Sequence, residues 1–269
     1  MGYSKRVVKL FLGLWPFTHP VKRLSSRSPL RRLFAPLVRQ EVMRVTFVPV
    51  AEDVPPPQST VLPRQAIAEL IRESSHRFIY DGCICRQQEG CRDYPHDLGC
   101  IFLGEAASRL HPSLGHQATV EECLEHLERA SRAGLVGMLG HIWFDAAALG
   151  VLRDFRHFLV LCFCCDCCCL VRTDLREAAE EFKRAIKKLD NVKVTVTDAC
   201  KGCGTCAASC FVGAVALQDG RARIDPLACK GCARCAQLCP NGAIRVDFDP
   251  HDGLFPELLS RVRTPLREE

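Results

Sequence analysis

Cys200-Lys-Gly-Cys-Gly-Thr-Cys-Ala-Ala-Ser-Cys210 returns 29 residues later as Cys229-Lys-Gly-Cys-Ala-Arg-Cys-Ala-Gln-Leu-Cys239. The flanks repeat as well, since Gly213-Ala-Val matches Gly242-Ala-Ile. Each half spaces its cysteines C-x2-C-x2-C-x3-C. Three thiolates in so tight a loop can wrap three corners of one polynuclear metal centre. The small residues between them (Gly202, Gly204, Gly231, Ala233) let the backbone fold closely, with its N–H groups turned toward sulfur. Two zinc sites could consume eight cysteines, but they do not usually need this spacing twice.

The doubled run is the one in which the fourth cysteine ligates the other cluster. Cys200, Cys203, Cys206 and Cys239 are therefore expected to hold one [4Fe-4S] cubane. Cys210, Cys229, Cys232 and Cys235 are expected to hold a second. Residues 192–247 resemble the two-[4Fe-4S] bacterial ferredoxins. The resemblance implies a pseudo-twofold pair of β-α-β units and low-potential electron carriage. Strands are expected at 194–196, 214–217, 222–224 and 244–247, with Asp219-Gly220 as a hairpin turn. One departure stands out: Cys239 is followed by Pro240, but Cys210 by Phe211.

Eleven of the 19 cysteines lie upstream. Cys83, Cys85, Cys91 and Cys100 form one group, and six more crowd residues 162–169. Crowded thiolates repel unless a metal or protons neutralise them. A third Fe–S cluster drawing on Cys83, Cys85, Cys91, Cys164, Cys165 and Cys168 is one solution. Cys100, Cys123 and Cys162 read instead as buried thiols packing like small hydrophobes. Arg86, beside two cysteines, suits a reduced cluster, a bound anion or a surface salt bridge equally well. The whole chain also resembles, over residues 60–250, an anaerobe family that joins a CICR and CxxCCC region to a dicluster ferredoxin.

The remaining features set the frame. Apolar residues make up 48% of 269, enough for a core, and the predicted class is α+β: a mixed α/β Cys-rich domain followed by the ferredoxin-like module. Expected boundaries are a basic arm and Pro-rich linker at 1–57, the Cys-rich domain at 58–190, the ferredoxin domain at 191–249 and a tail at 250–269. No secretory signal or membrane span is read, and C-x-x-C groups favour metal over disulfides, which points to a reducing, anaerobic cytoplasm.

Residues 1–45 hold ten Lys or Arg against Glu41 alone. Within them, residues 5–15 suit a basic amphipathic helix, docked on protein or lying on an anionic membrane surface. Residues 20–57 read as linker. Helices are expected at 63–74, after a Thr119-Glu122 capping box up to Gly134, and after a cap at Thr173 with Leu175, Ala178, Ala179, Phe182, Ile186 and Leu189 inward. Strands are expected at 76–80, 134–139, 157–161 and 193–197.

No phosphate loop, nucleotide fingerprint or Ser–His–Asp pattern is present. His96, His116, His126 and His141 read as surface or core residues, and nucleic acid is not an expected partner. Three readings follow. The first is an electron-transfer protein serving a partner oxidoreductase. The second is a reductase with catalysis at the upstream cysteines. The third is a redox or metal sensor.

Overall fold

The computed structural model describes residues 1–13, 43–48, 63–177, 186, 188, 192–248 and 255–263. Helices and strands mix as expected for an α+β chain. The first described elements are α1 (Lys5–Leu12), β1 (Met43–Val48), α2 (Pro63–Glu73), β2 (Arg77–Tyr80), α3 (Ile84–Gln88), β3 (Ile101–Leu103), β4 (Gly115–Gln117) and α4 (Val120–Arg132). They continue with β5 (Val136–Ile142), α5 (Trp143–Ala148), β6 (Leu159–Cys164) and α6 (Leu170–Glu177). The last third holds β7 (Val192–Val196), α7 (Thr205–Ser209), β8 (Val215–Gln218), β9 (Arg221–Ile224), α8 (Arg234–Gln237), β10 (Ile244–Phe248) and α9 (Phe255–Val262).

Six strands form one antiparallel sheet in the order β1-β5-β6-β3-β2-β4. Every residue of β5 is buried, so this sheet is covered on both faces. The stripe Ile67, Leu70 and Ile71 of α2 is buried, as are Cys123, Leu127 and Ala130 of α4. Both bonds of the capping box are made: Glu122 N–H donates to Thr119 Oγ1 (3.1 Å) and Thr119 N–H to Glu122 Oε2 (2.8 Å).

Strand β1 corrects the expected linker. It lies inside residues 20–57 yet pairs with β5, from Met43 opposite Ile142 to Val48 opposite Gly137. Val45 and Phe47 are buried in the core, with Thr46 buried between them, which repays the ordering of a short segment. The expected tail is corrected too. It contains α9, whose Val262 is buried and accepts a hydrogen bond from Ser75 N–H (2.8 Å). Thr173 is not a cap: α6 begins at Leu170, and Thr173 Oγ1 donates back to the Cys169 carbonyl (3.0 Å). The inward positions named at 178, 179, 182 and 189 lie outside the described residues.

The N-terminal segment is tied to the body. Gly2 N–H donates to the Arg109 carbonyl, Tyr3 N–H to the Leu149 carbonyl, and Lys5 N–H to Ser113 Oγ. Val8 is buried, whereas Val7, Leu10 and Phe11 face outward. No helix among the described residues is long and apolar enough to cross a membrane.

In the last third, β7-α7-β8 and β9-α8-β10 are the two β-α-β units. β7 pairs with β10, and β8 pairs with β9. Asp219 and Gly220 turn the latter hairpin with φ of 51° and 71°, the left-handed pair of a type I′ turn. The turn rests on the first cysteine loop so closely that a Cβ on Gly202 would meet the Gly220 carbonyl oxygen at 2.1 Å.

Candidate metal centres

Cys200, Cys203, Cys206 and Cys239 line one shallow pocket that opens to solvent. Gly202, Gly204, Ala222 and Ala243 share the wall. Backbone N–H groups point at the sulfurs, as in Ala222 to Cys200 (3.4 Å) and Ala243 to Cys239 (3.3 Å). These bonds favour thiolate. The Ala222 N–H is the main reason the Cys200 thiol is held below its ordinary range, and the Thr205 hydroxyl does the same for Cys203.

The second set has no exposed member, and each of its four cysteines is half-buried. Cys232 feels the charges of Cys229 and Cys210, and Cys235 those of Cys232, Cys229, Cys210 and Cys206, so the four adjoin one another and the first set. Burial pushes the Cys232 thiol up to about 11 and also raises Cys229 and Cys235. Ala214 N–H donates to Cys210 Sγ (3.2 Å), the repeat-related partner of the bond at Cys239, and Gly231 N–H to Cys229 Sγ (3.4 Å).

This second set faces the upstream region. Phe211, where the resemblance leads one to expect proline, is buried against Phe47 of β1, with ring centroids 5.0 Å apart. Arg172 of α6 lies over the same ring, 4.9 Å from its centre. Arg172 is 1% exposed, and Cys232, Asp166, Cys164 and Cys169 all act on its charge. Asp166 Oδ1 pairs with it at 2.6 Å, while Asp166 Oδ2 pairs with Arg234. Arg234 also donates to the Tyr94 hydroxyl and the Gly134 carbonyl, each at 2.9 Å. A charged seam thus joins the last third to the sheet domain.

The fit to iron–sulfur clusters rests on three features. The first set lines one pocket and the members of the second sense one another's charge, amide N–H groups are aimed at sulfur, and among the described residues Arg172 Nε and Nη1 are buried without a hydrogen-bond partner. A cluster held partly by Cys232 would offer sulfur acceptors beside that guanidinium. Residues 199–243 match the family model of the 4Fe-4S dicluster domain. This stretch is a ferredoxin-type domain that binds 4Fe-4S clusters, and the chain carries an iron–sulfur electron-transfer role. No curated protein and no solved structure matches the chain.

The 11 upstream cysteines divide into two groups of four, one pair and one lone thiol. Cys91, Cys165 and Cys168 come together with Cys167, which the sequence reading did not include; their four sulfurs lie within 4.8 Å of one another. Cys83 and Cys85 are instead in mutual contact, as are Cys164 and Cys169, and the two pairs sense each other's charge. Contact with Cys85 holds the Cys83 thiol down to about 6. Cys100 and Cys162 touch at 3.2 Å, and Cys123 is sealed in the core with its thiol pushed up to about 12 by burial.

Arg86 forms no surface salt bridge. It is fully buried, with Nε donating to the Pro95 carbonyl (2.8 Å), Nη1 to the Phe163 carbonyl (2.7 Å) and Nη2 to the Leu98 carbonyl. His96 donates to the Cys91 carbonyl and His116 is exposed. His126 and His141 are buried against the Gly99 and Phe158 carbonyls.

Proposed function

We propose that the chain is an electron-transfer protein or subunit holding two [4Fe-4S] clusters, one on Cys200, Cys203, Cys206 and Cys239 and one on Cys210, Cys229, Cys232 and Cys235. It exchanges electrons with a partner oxidoreductase in a reducing compartment. The clusters supply one-electron chemistry, tuned by charge, burial and hydrogen bonds to sulfur. The observation that carries the reading is the unequal setting of the two sets. The first opens to solvent, with Cys203 exposed. The second is half-buried throughout and abuts Arg172, whose charge also reaches Cys164 and Cys169.

Each residue has a part in this wire. The amide groups of Ala222, Ala214, Gly231 and Ala243 stabilise negative charge on sulfur. Arg172 offsets the charge of the inner set, and Phe211 and Asp166 keep that set against the sheet domain. A third cluster upstream would draw on Cys83, Cys85 and Cys164, now with Cys169. The outward residues Val7, Leu10 and Phe11 of α1, beside Lys5, Arg6 and Lys9, suit a peripheral membrane contact. Sedimentation with anionic vesicles tests that contact, which is discarded if deleting residues 1–13 leaves binding unchanged.

Anaerobic iron and sulfide analysis with EPR of the reduced protein tests the main reading. About eight irons matched by sulfide, with two interacting cubane signals, are expected from the doubled run. Near twelve of each adds the third cluster. A preparation reconstituted with iron and sulfide that shows no cubane signal overturns the reading. A signal that shifts on adding a disulfide substrate turns it toward a reductase.

A further inference from the structure

We infer that Cys91, Cys165, Cys167 and Cys168 hold a single soft divalent metal ion, zinc or iron, as a mononuclear tetrathiolate site distinct from the iron–sulfur clusters.

The spacing carries this. Cys91 Sγ lies 3.5 Å from Cys167 Sγ, and Cys167 Sγ lies 3.6 Å from Cys168 Sγ. All four sulfurs fall within 4.8 Å of one another. A metal–sulfur bond of about 2.3 Å in a tetrahedron sets sulfur–sulfur edges of about 3.8 Å. The thiols already stand near that edge length. A cubane places each cysteine sulfur on a different iron and spreads the four more widely. The eight ferredoxin cysteines are in no such tight group among the described residues.

The supporting structure suits an anionic centre. Cys168 N–H donates to Cys165 Sγ (3.3 Å), closing the turn that follows β6. Arg86 touches the Cys165 thiol, is 0% exposed, and has no carboxylate partner among the described residues. A buried guanidinium whose acceptors are neutral carbonyls remains costly until a negative charge stands beside it. Four thiolates around a divalent ion carry a net double negative charge, which adds to Cys83 as counter-charge for this guanidinium. Arg86 also ties together the two segments that bring the ligands, through Pro95 and Leu98 on one side and Phe163 on the other.

Packing alone explains the group poorly. Cys167 is exposed and Cys168 half-buried, so neither thiol is there to fill a core. The ion would fasten the loop 91–100 to the turn 165–168. That turn carries Asp166, the carboxylate that holds Arg172 and Arg234. The site would thereby fix the seam to the ferredoxin-type domain.

The test uses the full chain purified without oxygen, wild type beside Cys167→Ser and Cys168→Ser. Metal and acid-labile sulfide are counted together, and X-ray absorption at the zinc and iron edges reads the ion. One zinc with four sulfur neighbours, or one iron without matching sulfide, is expected per wild-type chain. Either serine variant should bind that ion at least about 10- to 100-fold more weakly, since loss of a ligand exceeds loss of an outer partner. Sulfide should stay unchanged. Both variants sit at partly exposed positions, and retained cluster absorbance reports that they fold. The inference fails if wild type carries no such ion. It also fails if Cys167→Ser removes iron and sulfide together, or if mass analysis finds Cys91 and Cys167 in a disulfide. Because a single ion brings no sulfide, its loss leaves the two-cluster reading standing, and loss of the clusters leaves this site testable.

Discussion

Arg172 stands 4.9 Å over the ring of Phe211, joining the sheet domain to the inner cysteine set of the ferredoxin-type domain. The ring also meets Phe47 edge-on. Phe211→Ala should cost about 3–4 kcal/mol in the stability of this interface, from lost burial and the cavity left behind. Phe211→Pro, which restores the family-like residue, should cost a similar amount. Hydrogen exchange should quicken in β1 and at the start of α6 in both variants, with iron content unchanged. Wild-type exchange in β1 would refute the role given to this ring.

Asp166 is the shared anion of Arg172 and Arg234, and its side chain is 32% exposed. Asp166→Asn leaves a guanidinium buried. A fully buried broken pair costs about 3–5 kcal/mol, and partial exposure places this one at or below the lower end. A drop in apparent Tm that Arg172→Met in the same chain partly restores is the expected result. An unchanged Tm in Asp166→Asn would show that the seam does not need its carboxylate.

Gly204 and Ala233 are equivalent positions of the repeat, and both have left-handed backbone, with φ of 81° and 61°. Alanine is strained there. Ala233→Gly should raise stability by up to about 1 kcal/mol, and Gly204→Ala should lower it by about the same. Thermal melts of the reconstituted proteins decide the signs; a loss in Ala233→Gly would show that the methyl contributes more by packing than it costs in strain.

Burial pushes the Asp145 carboxyl, in the first turn of α5, up to about 7. The folded state therefore binds this proton more tightly than the unfolded chain, where the group titrates near 4. Its contribution to stability is full below about pH 4 and is lost as pH rises through about 7. Asp145→Asn should flatten the fall in Tm between pH 5 and pH 8. At pH 8 it should be about 1–2 kcal/mol more stable than wild type. A parallel pH profile in the two proteins would remove Asp145 from the account.

The ferredoxin-type stretch was legible because its chemistry is local: the repeat carries its ligand spacing, its turn at Asp219-Gly220 and its small residues in one short segment. The upstream site was half legible. Cys91, Cys165 and Cys168 were named, but with six cysteines in eight positions nothing in the spacing tells which sulfurs a turn gathers, so Cys167 was missed and Cys83, Cys85 and Cys164 were grouped with those three. Phe211 was visible only as a missing proline. Its purpose depends on Phe47, more than 160 residues away, and that partner was itself hidden in a stretch read as linker. The alternation of Val45 and Phe47 was the available signal. In the sequence Arg86 is open between a reduced cluster, a bound anion and a surface salt bridge, because burial of a guanidinium needs acceptors that only the folded loop supplies.

The pairing of β7 with β10 sets Val192 directly opposite Phe248. The chain therefore enters and leaves the ferredoxin-type domain side by side, and afterwards α9 returns to pack on α2 of the sheet domain. Topologically the dicluster unit is a cassette spliced into its host, with a host-derived helix on its far side. A related dicluster unit could be exchanged at that seam without disturbing the host's chain path, provided it brought a ring to the place of Phe211.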